Sequence, residues 1–438
     1  MAQRTIQSKR SVARLDGLKG FGLSSTQQSP PKRRRVESPI DLSIAENWSI
    51  RPELVSLFQD VIKNNLAAEH LSYSDSQFGD TKTMRALSAF FNEYFGVYHP
   101  VEPSQIALAP GSSSSLAGLL GQICDAGEGV LVPAPFWSKS LFPSREKRLK
   151  ISADGFDFHF AVHAQVHPVV ARLDKIERAF DADAILASLT LAYDETPLRT
   201  RALVLTNPGN PLGQCYDTDV LQRCAEFCRE RDLHFICDEV YALSYFATPA
   251  ESRVPFQSIL TLDPASLGCD QSRMHMVWSL SKDFGCSGLR LGCVVSQANP
   301  DLILALRLPT STEVSALTTL CAAALLTSPT LSDLVAMNKK RLADSYKAMT
   351  QVLEAHNIQY VPAIAGLFVF ARLKPEATAK EEAEFVRRVR QQGLIISPGQ
   401  AYHIGQEHGG WYRLTFSLLS EQLKKALAIL DQCLANNK

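Results

Sequence analysis

"VWSLSKDFGCSGLRLG" occupies residues 277–292. An apolar run ends at Ser279-Leu280-Ser281, the next residue is Lys282, and Arg290 follows eight residues later. A short apolar run bounded in this way predicts a buried strand with Lys282 at its carboxyl tip. In open α/β sheets, ligands sit beyond the carboxyl ends of the strands. A lysine there loses solvation, which disfavours its charged form and leaves an amine able to form an imine with a carbonyl. Ser279, Ser281 and Arg290 put hydroxyls and a guanidinium around the same turn, a set that suits a phosphate. Gly285 and Gly288 permit tight backbone and close approach. A surface lysine in a loop is the plainer reading, and these surroundings weaken it.

Outward from this stretch, strands and helices alternate. "QIALAPG", "GVLVP", "RALVLTN" (201–207), "HFICDE" (234–239), "MHMVWSL" and "RLGCVVS" read as strands. "SSSLAGLLGQICDAG" and "DTDVLQRCAEFCRERD" (217–232) read as helices between them. The alternation predicts an α/β fold, a mainly parallel sheet with helices on both faces. After Pro309 the pattern changes to a long helical region over 312–356, then "GLFVFARL", "GLIISPG", "WYRLTFSLL" and a last helix, which together read as a smaller α+β domain. The expected division is a basic, disordered tail over 1–39, an N-terminal segment of the small domain over 40–70, a large domain over 71–309 and the small domain over 310–438.

The whole chain of 438 residues has 45 basic and 45 acidic side chains, so no global field argues for nucleic acid. Residues 1–39 carry nine Lys/Arg against two Asp/Glu, and the run 32–35 in "PPKRRRVESP" has the form of a nuclear import signal or a solvated linker. No apolar run reaches the ~18–20 residues that span a bilayer. Ten cysteines without a C-x-x-C or His-rich metal spacing predict free thiols in a reducing, cytoplasmic setting and no metal site, with Cys224 and Cys228 both buried.

Other strand ends carry equally unusual groups. Asp238 closes "HFICD", where a carboxylate needs a cationic partner such as a protonated ring nitrogen, or else caps a helix or makes a structural ion pair. Tyr241 lies three residues on. In "TNPGNPLG" (206–213) two Asn-Pro pairs make a stiff turn that aims one asparagine amide at a ligand. "APGSSSSLAGLL" (109–120) starts a helix with glycine and serines, an anion cradle or a plain cap. Trp137, after "GVLVP", can stack on a flat ring or pack in the core. A carbonyl, a phosphate, a ring oxygen and a ring nitrogen describe one ligand, pyridoxal 5′-phosphate (PLP).

The set resembles the class I/II aminotransferase family of fold-type-I PLP enzymes over residues 40–435. "SLSKDFGCSGLRLG" looks like its lysine signature, with "NPGNPLG" and "DEVY" in the right order. The resemblance implies that Lys282 forms the internal aldimine, that Asp238 pairs with the pyridinium nitrogen, and that Asn210 and Tyr241 contact the ring hydroxyl. It implies that Ser112, Ser113, Ser279 and Arg290 hold the phosphate and that Trp137 stacks on the ring. Arg413 in "WYRLTF" matches the arginine for the substrate α-carboxylate. Tyr73 matches a tyrosine given to the neighbouring subunit of a homodimer, although its spacing to Gly79 departs from the common one. Within the family, "IAENW" (44–48) and "SPGQAYHIGQEHGGWYR" (397–413) resemble 1-aminocyclopropane-1-carboxylate synthase-like proteins, which makes Glu46 a substrate-side carboxylate or a surface acid. The stretch before Gly79 reads Ser-Gln-Phe where the synthases have Asp-Tyr-His. The resemblance therefore implies an amino-acid-type substrate and an aminotransferase first. A carbon–sulfur lyase comes second, a cyclopropane-forming synthase third, and a silent PLP-fold protein last.

Overall fold

Six apolar runs and one edge segment form the central sheet. The computed structural model describes residues 11–12, 39–74, 76, 78–138, 141–143, 149–151, 155–246, 254–310, 312–405 and 409–435. The expected tail over 1–39 and its basic run 32–35 lie almost wholly outside them. We label the short strand Ile40–Asp41 β1. The central strands are β2 (Ile106–Ala109), β3 (Gly129–Pro133), β4 (His167–Ala171), β5 (Thr200–Thr206), β6 (His234–Asp238), β7 (Met274–Ser279) and β8 (Gly292–Val295). Their order is β2-β8-β7-β6-β5-β3-β4. The pairs from β7 through β4 are parallel, and β8 runs antiparallel between β7 and β2. This is the α/β sheet the alternation predicts.

Near-continuous apolar strands follow from cover on both faces. Leu108, Leu131, Leu203, Phe235, Met276 and Cys293 point into one core, and Ala107, Val130, Ala202, Ile236, Val277 and Val294 into the other. Helices α1 (Arg51–Asn65), α2 (Thr81–Tyr94), α4 (Ala182–Glu195) and α5 (Thr218–Glu230) pack on the first face. Helix α3 (Ser112–Ile123) and helix α6 (Pro300–Thr310) pack on the second. Helices α2, α4 and α5 each begin at an aspartate whose carboxylate accepts a first-turn amide: Asp80, Asp181 and Asp217. Cys224 and Cys228 are buried free thiols, as expected.

Beyond the central sheet, β9 (Tyr360–Val361), β10 (Phe368–Arg372), β12 (Ser397–Pro398) and β13 (Trp411–Thr415) form an antiparallel sheet in the order β9-β10-β13-β12. β11 (Leu394–Ile395) pairs in parallel with β1. Leu42 and Ala45 thereby enter the core of this second sheet, while Ile50 and Leu54 face the central one.

Three features differ from the sequence reading. The helical region over 312–356 is two helices, α7 (Ala316–Leu326) and α8 (Leu331–Ala355), bent by 88°. Pro329 lacks the amide to continue the ladder, and the Ser328 hydroxyl takes the Thr330 amide instead at 3.2 Å. Strand β4 escapes notice because its start is exposed and carries Pro168, as edge strands allow. A short hairpin pairs Leu141–Pro143 with Leu149–Ile151. The chain then continues through helix α9 (Ala379–Gln391) and closes with helix α10 (Ser420–Ala435). No single helix among the described residues is long and apolar enough to cross a membrane.

At the amino end of the sheet His234 and His275 stack, with Nδ1 of the first 2.9 Å from Nε2 of the second. Burial lowers the His234 imidazole from 6.5 to about 4 and the His275 imidazole to about 3. An unfolded histidine binds a proton near 6.5, where these folded ones do not. Their contribution is fully present above that value and is lost as pH falls from 6.5 toward 4. In urea titrations, His275→Gln should lose about 1–2 kcal/mol less than the parent protein between about pH 7 and about pH 5. Equal losses would refute this account.

Candidate active site

Register aligns the strand ends. Thr206 sits opposite Asp238, and Asp238 opposite Val277, so the loops after β5, β6 and β7 open at one level. Lys282 lies in the third of these loops, half buried, and its Nζ donates to the Ala45 carbonyl at 2.9 Å. Lys282, Asp238, Tyr241, Asn210, Trp137, Ser112 and Arg413 line one cavity of about 80 Å³, closed on its other side by Ser43, Ile44 and Ala45. A wider space of about 760 Å³ continues from it past Lys282, Ser113, Ser281, Arg290 and Glu46.

Asp238 is buried, and its Oδ1 has no hydrogen-bond partner. Burial pushes its carboxyl up to about 7 against the Val240 amide and the Lys282 charge. Burial also raises the Tyr241 phenol, which keeps it a neutral donor. The two asparagines of "TNPGNPLG" separate cleanly. Asn207 is structural: its amide donates to the Gln257 carbonyl at 2.7 Å and its oxygen accepts the Tyr216 amide at 3.2 Å. Asn210 faces the cavity, and its Oδ1 accepts from Arg413 Nη1 at 2.9 Å. Arg413 Nη2 donates to the Ser43 carbonyl, and its Nε is buried without a partner. Its guanidinium lies 4.8 Å from the Phe368 ring centroid and 5.3 Å from that of Tyr402.

At the other end, Gly111 (φ +87°) precedes the serine-rich start of α3. A Cβ there would meet Arg290 Nη2 at 2.5 Å, so glycine lets the guanidinium lie against the helix start. Arg290 donates to the Ser287 and Pro110 carbonyls at 2.9 and 2.8 Å. Ser279 is fully buried, with its hydroxyl accepting the Ser281 amide at 3.3 Å. Ser281, next to Lys282, lines the wider space, and Ser279 does not.

Glu46 and Tyr73 take different places. Partial burial raises the Glu46 carboxyl, but the Ser287 hydroxyl, Arg51 and Lys282 outweigh it and hold it below the usual range. Its Oε1 accepts from Ser287 at 2.8 Å, and its Oε2 lies 3.1 Å from Arg51. Tyr73 is 90% exposed and lines a separate surface cleft with Phe78, Lys82 and Thr319. It does not join Lys282 within this chain.

Sequence reasoning missed the residues that hold the lysine loop. Asn47 Nδ2 donates to the Asp283 carbonyl at 3.0 Å and to Asn338 Oδ1 at 2.9 Å. Gly285 (φ +63°) faces the Asn47 carbonyl, so the close approach at this glycine is by the chain's own N-terminal segment and not by a phosphate. The Asp283 carboxylate accepts from Ser244 Oγ at 2.7 Å and Trp278 Nε1 at 3.1 Å, tying the turn after Tyr241 to the strand before Lys282. Such partners lie far apart in sequence and carry no local signal; Phe156, His159 and His163, which line the two spaces, are equally silent. Among the described residues no group of three or more His, Cys, Asp or Glu could hold a metal.

Comparison with known proteins points to one family. The family model for aminotransferase class I and II matches residues 160–430. The chain is 40% identical to a probable aminotransferase, aclI, of Aspergillus oryzae over 98% of its own length and 97% of the relative's. It is 46% identical over 92% of its length to the trimodular acetylaranotin synthesis protein ataIMG of Aspergillus terreus, of which it spans 39%. A 1-aminocyclopropane-1-carboxylate synthase of Cucurbita pepo is 28% identical over 77% of the chain and 65% of its own. Among solved structures, an aromatic aminotransferase from Pyrococcus horikoshii superimposes with a TM-score of 0.73 at 19% identity, over 97% of this chain and 99% of that one.

The two glycines of the lysine stretch should respond differently. Gly285→Ala must overlap the Asn47 carbonyl in a left-handed backbone, and should cost about 2 kcal/mol or more in urea denaturation. Gly288→Ala meets nothing within 4 Å and should change stability little. Equal effects would mean that the N-terminal segment does not seat against Gly285.

Proposed function

The chain belongs to the class I and II aminotransferases, a family that works with pyridoxal 5′-phosphate, and from that premise we propose that it transaminates an α-amino acid at Lys282. The observation that carries the proposal is the buried, unpartnered Asp238 oxygen in the same cavity as Lys282 and Arg413. That oxygen lacks a cation, and a protonated ring nitrogen is one.

The other residues fit the same group. Asn210 has its oxygen taken by Arg413, which leaves its amide hydrogens, with the Tyr241 hydroxyl, for a ring oxygen. Trp137 offers an aromatic face. Ser112, Ser113, Ser281 and Arg290 would hold the phosphate, with Ser279 fixing the Ser281 amide from beneath. When bound, the cofactor supplies a carbonyl carbon for amines and a ring that accepts an electron pair.

The chain's own residues do the remaining work. The Arg413 fork, held between two rings, now meets a carbonyl and an amide oxygen; a substrate carboxylate is a stronger acceptor and takes their place. Lys282 Nζ is the base that removes the proton from the substrate α-carbon. Residues 43–45 line the cavity beside Lys282 and Arg413. Glu46, beside Ser287 and Lys282, faces the substrate's far end.

The wide space beyond Lys282 favours a second reading. It leaves room for a bulky β-substituent, and departure of a β-thiolate after the same proton transfer makes a carbon–sulfur lyase. We also propose a homodimer in which the exposed Tyr73 reaches the neighbouring subunit's site, working in the cytoplasm unless residues 32–35 carry it to the nucleus.

Added PLP should turn the purified protein yellow, and Lys282→Ala should abolish both the colour and turnover. A colourless protein that takes up no PLP would leave only a silent fold. Arg413→Lys should raise KM about tenfold to a hundredfold, the value of the lost charged hydrogen bond, with a smaller change in kcat. A panel of amino acids and cysteine conjugates separates the reactions by product. Keto acid with pyridoxamine phosphate means transamination, and ammonia with free thiol means elimination. Methylthioadenosine from S-adenosylmethionine means cyclopropane formation.

A further inference from the structure

Behind Trp137 lies a polar cluster that the chemistry above does not use. Asp157 is buried, and its Oδ2 accepts from Ser138 Oγ at 2.7 Å. Nε2 of His403 lies 3.0 Å from its Oδ1 and 3.1 Å from its Oδ2. Three chain segments meet on this one carboxylate. Residues 136–138 follow β3 and carry Trp137. Residues 155–158 carry Phe156, whose amide donates to the Trp137 carbonyl at 3.0 Å. Residues 399–403 belong to the second sheet's side and carry Tyr402, whose ring lies under Arg413.

Backbone bonds run along the same seam. The Phe136 amide donates to the Tyr402 carbonyl at 3.2 Å, and the Ser138 amide to the Ala401 carbonyl at 3.3 Å. Arg172 Nη1 holds the His403 carbonyl at 2.9 Å, and the Phe136 ring covers the imidazole at 4.8 Å. His403 accepts a left-handed backbone (φ +58°) to present its ring to Asp157. Tyr402 is fixed in turn by Ser397 Oγ at 2.8 Å, and Ser397 pairs with Arg413 in the strand register. An unbroken chain of contacts therefore leads from the residue placed on the cofactor ring to the residue placed on the substrate carboxylate.

We propose that Asp157 is a positioning residue: it staples the loop carrying Trp137 to the segment carrying Tyr402, so that the ring-stacking wall and the Arg413 wall hold one spacing. This rests on the PLP reading of the site, which binding of PLP by the unaltered protein checks separately.

The test compares PLP affinity and the visible circular dichroism of bound PLP in Asp157→Ala, Ser138→Ala, His403→Ala and His403→Gln. Asp157→Ala should weaken PLP binding roughly tenfold, the size typical of losing an outer-shell partner, and reduce the dichroic signal. It should raise the amino-acid KM more than it lowers kcat. His403→Ala should follow it, while His403→Gln, whose amide can still donate to the carboxylate, should restore both signals. A folded Asp157→Ala protein with unaltered PLP affinity and dichroism overturns the proposal. Should that variant fail to fold, unaltered signals in both Ser138→Ala and His403→Ala overturn it equally. Failure of the unaltered protein to bind PLP strikes the underlying site reading instead.

Discussion

A carboxylate at the dry end of a parallel strand governs this molecule. Strand β6 is apolar because strands flank it and helices cover both faces, so Asp238 emerges buried at its end. A bare charge in such a place is costly, and its acidity moves to about 7. The neighbourhood is built to receive what would relieve it. Lys282 stands one strand away, Thr206 on the other side, Asn210 and Tyr241 at the rim, and Arg413 opposite. The site is thus an electrostatic demand set by the sheet, with the ligand as its complement.

The second organising element is the N-terminal segment that crosses the cavity. Its Ser43 and Ala45 carbonyls accept from Arg413 and Lys282, its Asn47 holds the Asp283 carbonyl, and its Glu46 carbonyl accepts from Ser417. One short stretch thereby links both sheets across the site. Arg51 then stacks on Trp48 and donates to the Gly285 carbonyl, fixing where the stretch turns into a helix.

What could be read from the sequence was what sits at strand ends. Lys282, Asp238 and Asn210 stand out because a polar residue after an apolar run has few bland explanations, and the family's motifs then place Arg413. The fold class was legible for the same reason, since the period of the apolar runs is local. The Asn47–Asp283 contact was not, because its partners are 236 residues apart and each looks like an ordinary surface residue. The resemblance names Ser279 for the phosphate; its burial beneath the Ser281 amide was not legible, because a backbone turn, which sequence does not display, decides which hydroxyl faces out. The staple on Asp157 joins three segments of which none has a motif. Tyr73, exposed and apart from Lys282, rests on the family resemblance alone.

The pairing of β1 with β11 has a consequence for how the chain comes to be folded. Ile40 bonds beside Leu394, and Thr415 donates to the Leu42 carbonyl, so the first strand described waits for nearly the last. Among the described residues strand β2 likewise pairs only with β8, almost two hundred residues downstream. On the ribosome neither early strand finds its partner until most of the polypeptide has been made. Loop-closure entropy then makes these distant pairings slow. Until the C-terminal part emerges, the apolar edges of β2 and the lysine loop stand open to water and to other chains. Closure of the cavity around Lys282 is therefore a late event in the folding of this chain.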